Sequence, residues 1–322
     1  MIIYLIPSII GLLSIAIAFF TKTSMLALFT ILYPFLYLLD LYARYKRHKL
    51  AQPWPAKDKV VLITGASSGI GRSLAHLFAK QGSTLILCAR REDALINVAN
   101  ECRDQYGATK VITIKCDVSD EDDVSKLIKT VEDSFNKLDC LILNAGVSMG
   151  ERFESISDYN IIKTIMDINY FGSTYITYKA LNLLKNSKGS RIVVVDSFLG
   201  ICPVPLRTGY CGSKFALRGF FESLQFEIWE HEIFVVMAYP DVVKTEINDN
   251  RLGKTPSRLD MKSAMSSDEC ANIIYRGVVR GDKEILFVAR GEFARLAEGV
   301  FPDAWSYLTR KYSWKIVAPS NS

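Results

Sequence analysis

A chain of 322 residues, 49% hydrophobic and 23% charged, is long enough for one large domain or two small ones and too apolar to remain disordered. Its net charge of +5 gathers at one end, where residues 1–50 hold Lys22, Arg44, Lys46, Arg47 and Lys49 against Asp40 alone, so the nearly neutral remainder lacks the basic stripe of a nucleic-acid reader. The seven cysteines are odd in number, scattered and without C-x-x-C spacing, which argues against a disulfide framework and a metal site; with no N-x-[ST] acceptor, they favour a reducing compartment.

The stretch Ile2–Phe20 runs 19 residues without a charge, about the length that spans a bilayer. A second apolar run, Met25–Leu39, follows a short polar break and contains Pro34, and the basic cluster Arg44–Lys49 comes next. No basic residues precede the first run and no small-residue cleavage site follows it, so residues 1–50 read as an uncleaved membrane anchor, either one span or a helical hairpin. The basic cluster belongs on the cytoplasmic side, which would leave the rest of the chain in the cytosol; the other layout is a single span with a lumenal enzyme. Residues 51–58 read as a linker, 59–290 as one dinucleotide-binding domain, and 291–322 as an amphipathic extension.

From Lys59 onward, short β-branched runs alternate with helix-period stretches. The predicted strands are 60–64, 84–89, 111–116, 140–144, 191–196, 234–239 and 284–289; the predicted helices are 70–81, 92–106, 120–136, 156–184, 208–230 and 267–279. Continuous apolar strands separated by amphipathic helices predict an α/β fold, a doubly wound parallel sheet of seven strands covered on both faces. Ligands of such a sheet sit beyond the carboxyl ends of the strands, where the strand order reverses.

"TGASSGIGRSL" (Thr64–Leu74) follows the first strand and opens the first helix. Gly65, Gly69 and Gly71 let the backbone approach a bulky anion, and the helix N-terminus turns unpaired N–H groups toward it. The same residues also spell the G-x-S-x-G of a hydrolase elbow around Ser67. That reading fails for want of a base: His48 adjoins the anchor, His76 lies on the helix opening here, and a first-strand elbow beside His231 has no earlier loop for an oxyanion hole. The second strand ends "LCARRED", with Arg90 and Arg91 near the place where an acid would bond a ribose 2′-hydroxyl. Guanidinium groups there suit a 2′-phosphate, favouring NADPH over NADH.

"NAG" (Asn144–Gly146) ends the fourth strand, Asn169 lies on the long helix, and Ser197 follows the fifth strand 13 residues before Tyr210 in "TGYCGSKFAL". In order and spacing, "TGASSGIG", "NAG", Ser197 and Y-x-x-x-K resemble the short-chain dehydrogenase/reductase family over roughly 59–289, which implies a Rossmann-type sheet. "RIVVVDSFLG", "SKFALRGFFESLQFEI" and "ECANIIYRGV", behind an anchoring N-terminus, are similar to its 11-beta-hydroxysteroid dehydrogenase-like and steroleosin-like branch.

The bare chemistry agrees. A free phenol has a pKa near ~10. Lys214 sits one turn from Tyr210, and a nearby cation favours the phenolate. Tyr210 is then the general acid for carbonyl reduction or the base for alcohol oxidation. Ser197 would hold the substrate oxygen, and the resemblance implies that Asn169 supports a water linking Lys214 to solvent. It further implies that Gly65, Ser67, Ser68, Gly69, Ile70 and Gly71 line the phosphates, with Arg90 and Arg91 at the 2′-phosphate. Asp117 and Val118 come near adenine, Asn144, Ala145 and Gly146 brace the ribose, and Val243 and Thr245 meet the carboxamide and phosphates; Tyr210 and Lys214 also touch the cofactor. Two positions depart from the family pattern. Asp241 follows Pro240 where glycine is usual, and Asp196 stands where serine is common, on a strand whose alternation need not point it into the site.

The substrate is expected at the loops after Gly146 and Ser197 and at a polar, flexible-looking lid over 246–265. The tail carries apolar stripes (Phe293, Leu296 and Val300; Trp305, Leu308 and Tyr312), fitting a helix packed on the body or on a partner subunit, or contact with a membrane surface. Together these features read as an NADP(H)-dependent oxidoreductase of a lipophilic alcohol or carbonyl, of steroid, retinoid or fatty-acyl type. Its expected place is the endoplasmic reticulum membrane or a lipid droplet surface, and a homodimer is left open. The alternatives are an idle lipid-surface scaffold that keeps the fold, or a sugar or polyol dehydrogenase.

Overall fold

The computed structural model describes residues 34–47, 49, 54–248, 250–255, 264–287 and 289–317. The chain divides into two units, Met1–Leu50 and Ala51–Ser322. The predicted span Ile2–Phe20, the start of the second apolar run and the start of the linker lie outside the described residues. In the first unit, residues 34–47 form a helix, α1. Its Phe35, Leu36, Tyr37, Leu38 and Leu39 are each more than half exposed. Among the described residues no helix is long and apolar enough to cross a membrane.

In the second unit the β-branched runs become strands β1 (Val60–Thr64), β2 (Thr84–Ala89), β3 (Val111–Lys115), β4 (Cys140–Leu143), β5 (Arg191–Val195), β6 (Phe234–Tyr239) and β7 (Glu284–Leu286). Among the described residues these form one sheet in the order β3-β2-β1-β4-β5-β6-β7, every neighbouring pair parallel. The order reverses between β1 and β4, which opens a crevice at their carboxyl ends.

Alternation along the strands sends side chains into two cores. Val61 and Ile63 pack with Leu74 and Phe78 of α2 (Gly69–Lys80), Leu95 of α3 (Glu92–Asp104) and Ile274 of α8 (Ser267–Arg280). Leu62, on the other face, packs with Leu127 of α4 (Glu121–Phe135), Ile176 of α6 (Gly172–Lys185) and Phe221 of α7 (Thr208–Glu227). Phe78 and Phe221 are fully buried; truncating such a ring to alanine costs about 3–5 kcal/mol.

Helix boundaries follow local chemistry. The Asp120 carboxylate caps α4 by accepting from the N–H groups of Asp122 and Asp123, and Ser266 with Glu269 forms a reciprocal capping box on α8. Two expected elements differ. The helix predicted over 156–184 begins only at Asn160, whose N–H is capped by the Asp158 carboxylate at 2.9 Å. It then runs as α5 (Asn160–Met166), a π-turn (Asp167–Phe171) and α6. The last strand stops at Leu286, not 289, because its partner β6 ends before Pro240, which has no N–H to continue a ladder.

The tail folds as α9 (Ala289–Val300) and α10 (Pro302–Val317). Against Pro203, Val204 and Pro205, the Trp305 and Arg310 side of α10 leaves a cavity of about 330 Å³. Phe293, Val300, Leu308 and Tyr312 remain 45–64% exposed, so the apolar stripes are only partly covered; the Leu296 side chain lies outside the described residues.

Candidate active site

β1 delivers Thr64 to the crevice. Its hydroxyl donates to the Ile142 carbonyl (3.2 Å) and accepts from the N–H groups of Asn144 (2.9 Å) and Ala145 (3.0 Å). The Asn144 amide donates in return to the carbonyls of Thr64 (3.0 Å) and Gly65 (3.1 Å). Asn144 therefore braces the glycine turn across the switch point, a role more specific than the ribose contact expected for it.

Gly65 has φ +63°, and a Cβ there would lie 2.8 Å from Ala145 Cα; one at Gly71 would lie 2.4 Å from the Gly65 carbonyl oxygen. Side chains at either position would push the first turn of α2 off the strand. Ser68 precedes α2 in an extended conformation without capping it, so no side chain occupies the helix's first N–H groups. The Ser68 and Ser67 hydroxyls instead accept from Arg91 at 2.8 and 3.2 Å. Arg91 also pairs with Glu246 at 2.7 Å, and Arg90 stands 3.9 Å from Asp117. A tight anion cradle, a helix N-terminus uncapped by Ser68 and two flanking guanidinium groups fit the phosphates of a nicotinamide dinucleotide.

The other expected contacts converge on the same crevice in different ways. Ile70 packs its side chain against the core, and the Asp117 carboxylate accepts from Ser119 N–H and hydroxyl (3.0 and 2.7 Å). Val118 presses its carbonyl toward Gly172, where a Cβ would come to 2.7 Å. Val243 bridges to Met265, while the Thr245 methyl would stand 3.0 Å from a Cβ at Gly69. Gly146 leaves room for Asn169, whose Oδ1 would be 3.2 Å from a Cβ there.

Asn169 sits in the π-turn, fully buried. Its Oδ1 accepts from Val147 N–H (2.9 Å), and its Nδ2 donates to the Val147 carbonyl (3.0 Å) and the Ser213 hydroxyl (2.9 Å). None of these bonds reaches Lys214. The Asn169 side chain fixes the loop after β4 to α7.

Ser197 follows β5 and caps a short 3₁₀ turn, its hydroxyl accepting from Leu199 N–H at 3.1 Å. It also draws the Tyr210 pKa down. Lys214 is buried one turn along α7, its Nζ donating to the Val195 carbonyl at 3.0 Å and lying 5.8 Å from the Tyr210 ring centroid. The phenol does not follow the expected downward shift. Burial pushes its pKa up and Asp196 adds to the rise, outweighing the opposing pull of the Ser197 hydrogen bond and of Arg207. Lys214 is lowered by burial and held up by Asp196.

Two residues sharpen the sequence reading. Asp196 does enter the site, its Oδ1 3.8 Å from Lys214 Nζ, because it continues the face of β5 on which Ile192 and Val194 pack with Leu217 and Phe221 of α7. Arg207 was not foreseen: buried at the start of α7, it donates to the Ser148 hydroxyl (2.9 Å) and the Met149 carbonyl. The available signal was a lone cation within the apolar loop "ICPVPLRTG", one turn before Tyr210.

Tyr210 forms an apolar cluster with Met149 and Ile165, flanked by Val147, Ile162, Leu199 and Leu252. The lid expected over 246–265 is tied down where it is described. Leu252 N–H donates to the Ser148 carbonyl (2.8 Å), and Gly150 N–H to the Leu252 carbonyl (2.7 Å). The buried Glu151 carboxylate accepts from Lys254 N–H (2.7 Å) and the Thr255 hydroxyl (3.0 Å). Residues 256–263 lie outside the described residues. No group of metal-ligating side chains occurs among the described residues.

Residues 59–255 match the family model described as short chain dehydrogenase. The chain is 41% identical over 250 residues to the 11-beta-hydroxysteroid dehydrogenase-like 2 of Arabidopsis thaliana, covering 78% of this chain and 80% of that protein. It is 33% identical over 264 residues to a dehydrogenase/reductase SDR family protein 7-like of Dictyostelium discoideum, covering 80% and 82%. Among solved structures it resembles an alcohol dehydrogenase of Thermococcus sibiricus complexed with 5-hydroxy-NADP, with a TM-score of 0.63, 28% identity, and 70% and 93% coverage. A short chain dehydrogenase/reductase of Burkholderia phymatum in complex with NAD shares the fold, with a TM-score of 0.68, 24% identity, and 77% and 96% coverage.

Proposed function

Since the chain belongs to the short-chain dehydrogenase family, we propose that it interconverts a hydroxyl and a carbonyl on a lipophilic small molecule, of steroid, retinoid or fatty-acyl type, using NADP(H). The observation that carries this reading is the meeting of Ser197, Tyr210 and Lys214 at the carboxyl end of β5, beside the glycine crevice and inside an apolar cluster. Bound in that crevice, NADPH supplies the hydride. The Ser197 hydroxyl donates to the substrate oxygen and fixes its distance from Tyr210. Tyr210 gives its proton to that oxygen as a carbonyl is reduced and takes it back as an alcohol is oxidised. Lys214, protonated beneath the ring, favours negative charge on the phenol oxygen when the proton leaves. Asn169 keeps α7 in register with the loop after β4, and is the residue from which a water would link Lys214 to solvent.

Arg91, placed on both serines of the phosphate turn, supports the preference for a 2′-phosphate, with Arg90 beside it. That the similar Thermococcus enzyme is described with an NADP derivative favours the same choice. The apolar walls around Tyr210, and relatives described as hydroxysteroid dehydrogenase-like, support a greasy substrate over a sugar or polyol. The charge-free run Ile2–Phe20 and the apolar surface of α1 support anchoring to the endoplasmic reticulum membrane or a lipid droplet, with the basic cluster and the catalytic unit on the cytosolic side.

A turnover screen of steroid, retinoid and acyl carbonyls and alcohols with both nicotinamides, run on membranes, tests the reading. Tyr210→Phe is expected to abolish turnover while NADPH binding stays measurable by fluorescence. Retained turnover would remove Tyr210 from the chemistry, and inactivity of the wild type on every compound would favour an idle scaffold.

A further inference from the structure

Asp196 is a buried acid that the proton transfer described above does not use. Its side chain is sealed from solvent, and neither carboxylate oxygen has a hydrogen-bond partner among the described residues. Lys214 Nζ is 3.8 Å from Oδ1. On the other side, a Cβ at Gly200 would come to 2.6 Å from Oδ2, so the turn after Ser197 admits the carboxylate because residue 200 has no side chain. The remaining charged and titratable groups facing it come mostly from α7: Tyr210, then Arg218 and Glu222, which pair with each other at 2.9 Å. From β6 and β7, Tyr239 and Glu284 act on Arg218.

We propose that Asp196 is a positioning residue for protons: its buried carboxylate, set against Lys214 and acting on Tyr210, holds protons on both and so biases the site toward donating a proton to a carbonyl. The inference rests on the reading of Tyr210 as proton donor. An anion in a low-dielectric interior strengthens the hold of every neighbouring group on its proton. Asparagine or serine at this position would leave Lys214 with one backbone carbonyl as its partner and would free Tyr210 from a repelling charge. Both groups would then release protons at lower pH. Burial pushes the Asp196 carboxyl up to about 7 against the pull of Lys214 and Arg218. Its charge therefore develops as solution turns from mildly acid to mildly alkaline.

Two measurements test this on the full-length protein. The first is the pH profile of carbonyl reduction at saturating NADPH, with a steroid, retinoid or acyl carbonyl that the wild type turns over, for wild type, Asp196→Asn and Asp196→Ser. The alkaline limb should move to lower pH by about one to three units in the variants. The second is the ¹⁵Nζ resonance of Lys214, assigned by its loss in Lys214→Arg, which should titrate at lower pH in the variants whether or not substrate is present. Serine keeps the comparison available should the asparagine protein fail to fold. Variants whose activity drops equally at all pH, with limb and lysine titration fixed, would show a merely structural role and overturn the proposal. A lysine titration displaced in the variants, when the wild type reduces no carbonyl, would support Asp196's hold on Lys214 and count against the enzymatic reading alone.

Discussion

Two aspartates are buried in the same sheet at opposite ends, Asp139 at the start of β4 and Asp196 past the end of β5. Asp139 is surrounded by donors: Val60 N–H at 2.9 Å, Lys59 Nζ at 2.9 Å, the Ser187 hydroxyl at 2.5 Å and Lys137 Nζ at 3.0 Å. These hold its carboxyl below the usual range despite burial. The Asp196 carboxylate has no hydrogen-bond partner among the described residues and one cation at 3.8 Å, and burial carries it to about 7. Both carboxylates are shielded from solvent, and the donors around Asp139 outweigh what burial does to it, whereas at Asp196 burial prevails. The amino end of the sheet spends its charges on closing the fold, whereas the carboxyl end keeps a carboxylate whose proton is loosely assigned, beside the groups that handle substrate.

The contrast can be tested by breaking each end in turn. Lys214→Met should have the largest effect, a loss of about 10²–10⁴-fold in kcat. Leaving Asp196 buried without its cation should also cost about 3–5 kcal/mol in a denaturant titration. An unchanged kcat would mean that the ammonium takes no part in proton transfer. Arg91→Ala comes next. Charge-assisted hydrogen bonds contribute about 1.5–3 kcal/mol, so NADPH should bind roughly 10- to 100-fold more weakly by fluorescence titration, with NADH little changed. Equal weakening of both cofactors would instead place Arg91 at the shared phosphates.

At the amino end, Asp139→Asn gives a smaller effect whose dependence on pH is diagnostic. Asp139 has a folded pKa below its unfolded value. The stability it contributes is therefore present above the unfolded value of about 3.9 and is lost as pH falls through the folded value. Melting temperatures of wild type and Asp139→Asn should differ at neutral pH and converge in acid; a constant difference would show that its charge is not what stabilises. The mildest change is Glu246→Gln. It frees Arg91 from an ion pair half exposed on both sides, worth about 0.2–1 kcal/mol, and should tighten NADPH by a few-fold at most without tightening NADH.

The sheet was legible because its strands are short apolar β-branched runs between helix-period stretches, and the two periods cannot be exchanged. The glycine turn, Ser197, Tyr210 and Lys214 could be placed because each falls at a strand end or helix start that the pattern marks. Where pattern reading failed, bonds distant in sequence decided. Pro240, just past the end of β6, shortened β7. The hydrogen bonds from 252–255 to Ser148, Gly150 and Glu151 fixed a segment whose polar composition reads as a loose lid. Arg207 escaped notice because its partners lie nearly 60 residues away.

What the sequence determined by itself is which groups are present at the carboxyl ends of the strands, since chain order and hydrophobic period fix which residues follow each strand. What only the tertiary structure decided is their state of charge: whether Lys214 faces Tyr210 or Asp196, and whether Asp196 is bonded or bare. Proton affinity depends on burial and on distances of a few ångströms across the fold, and neither is written in the spacing of residues along the chain.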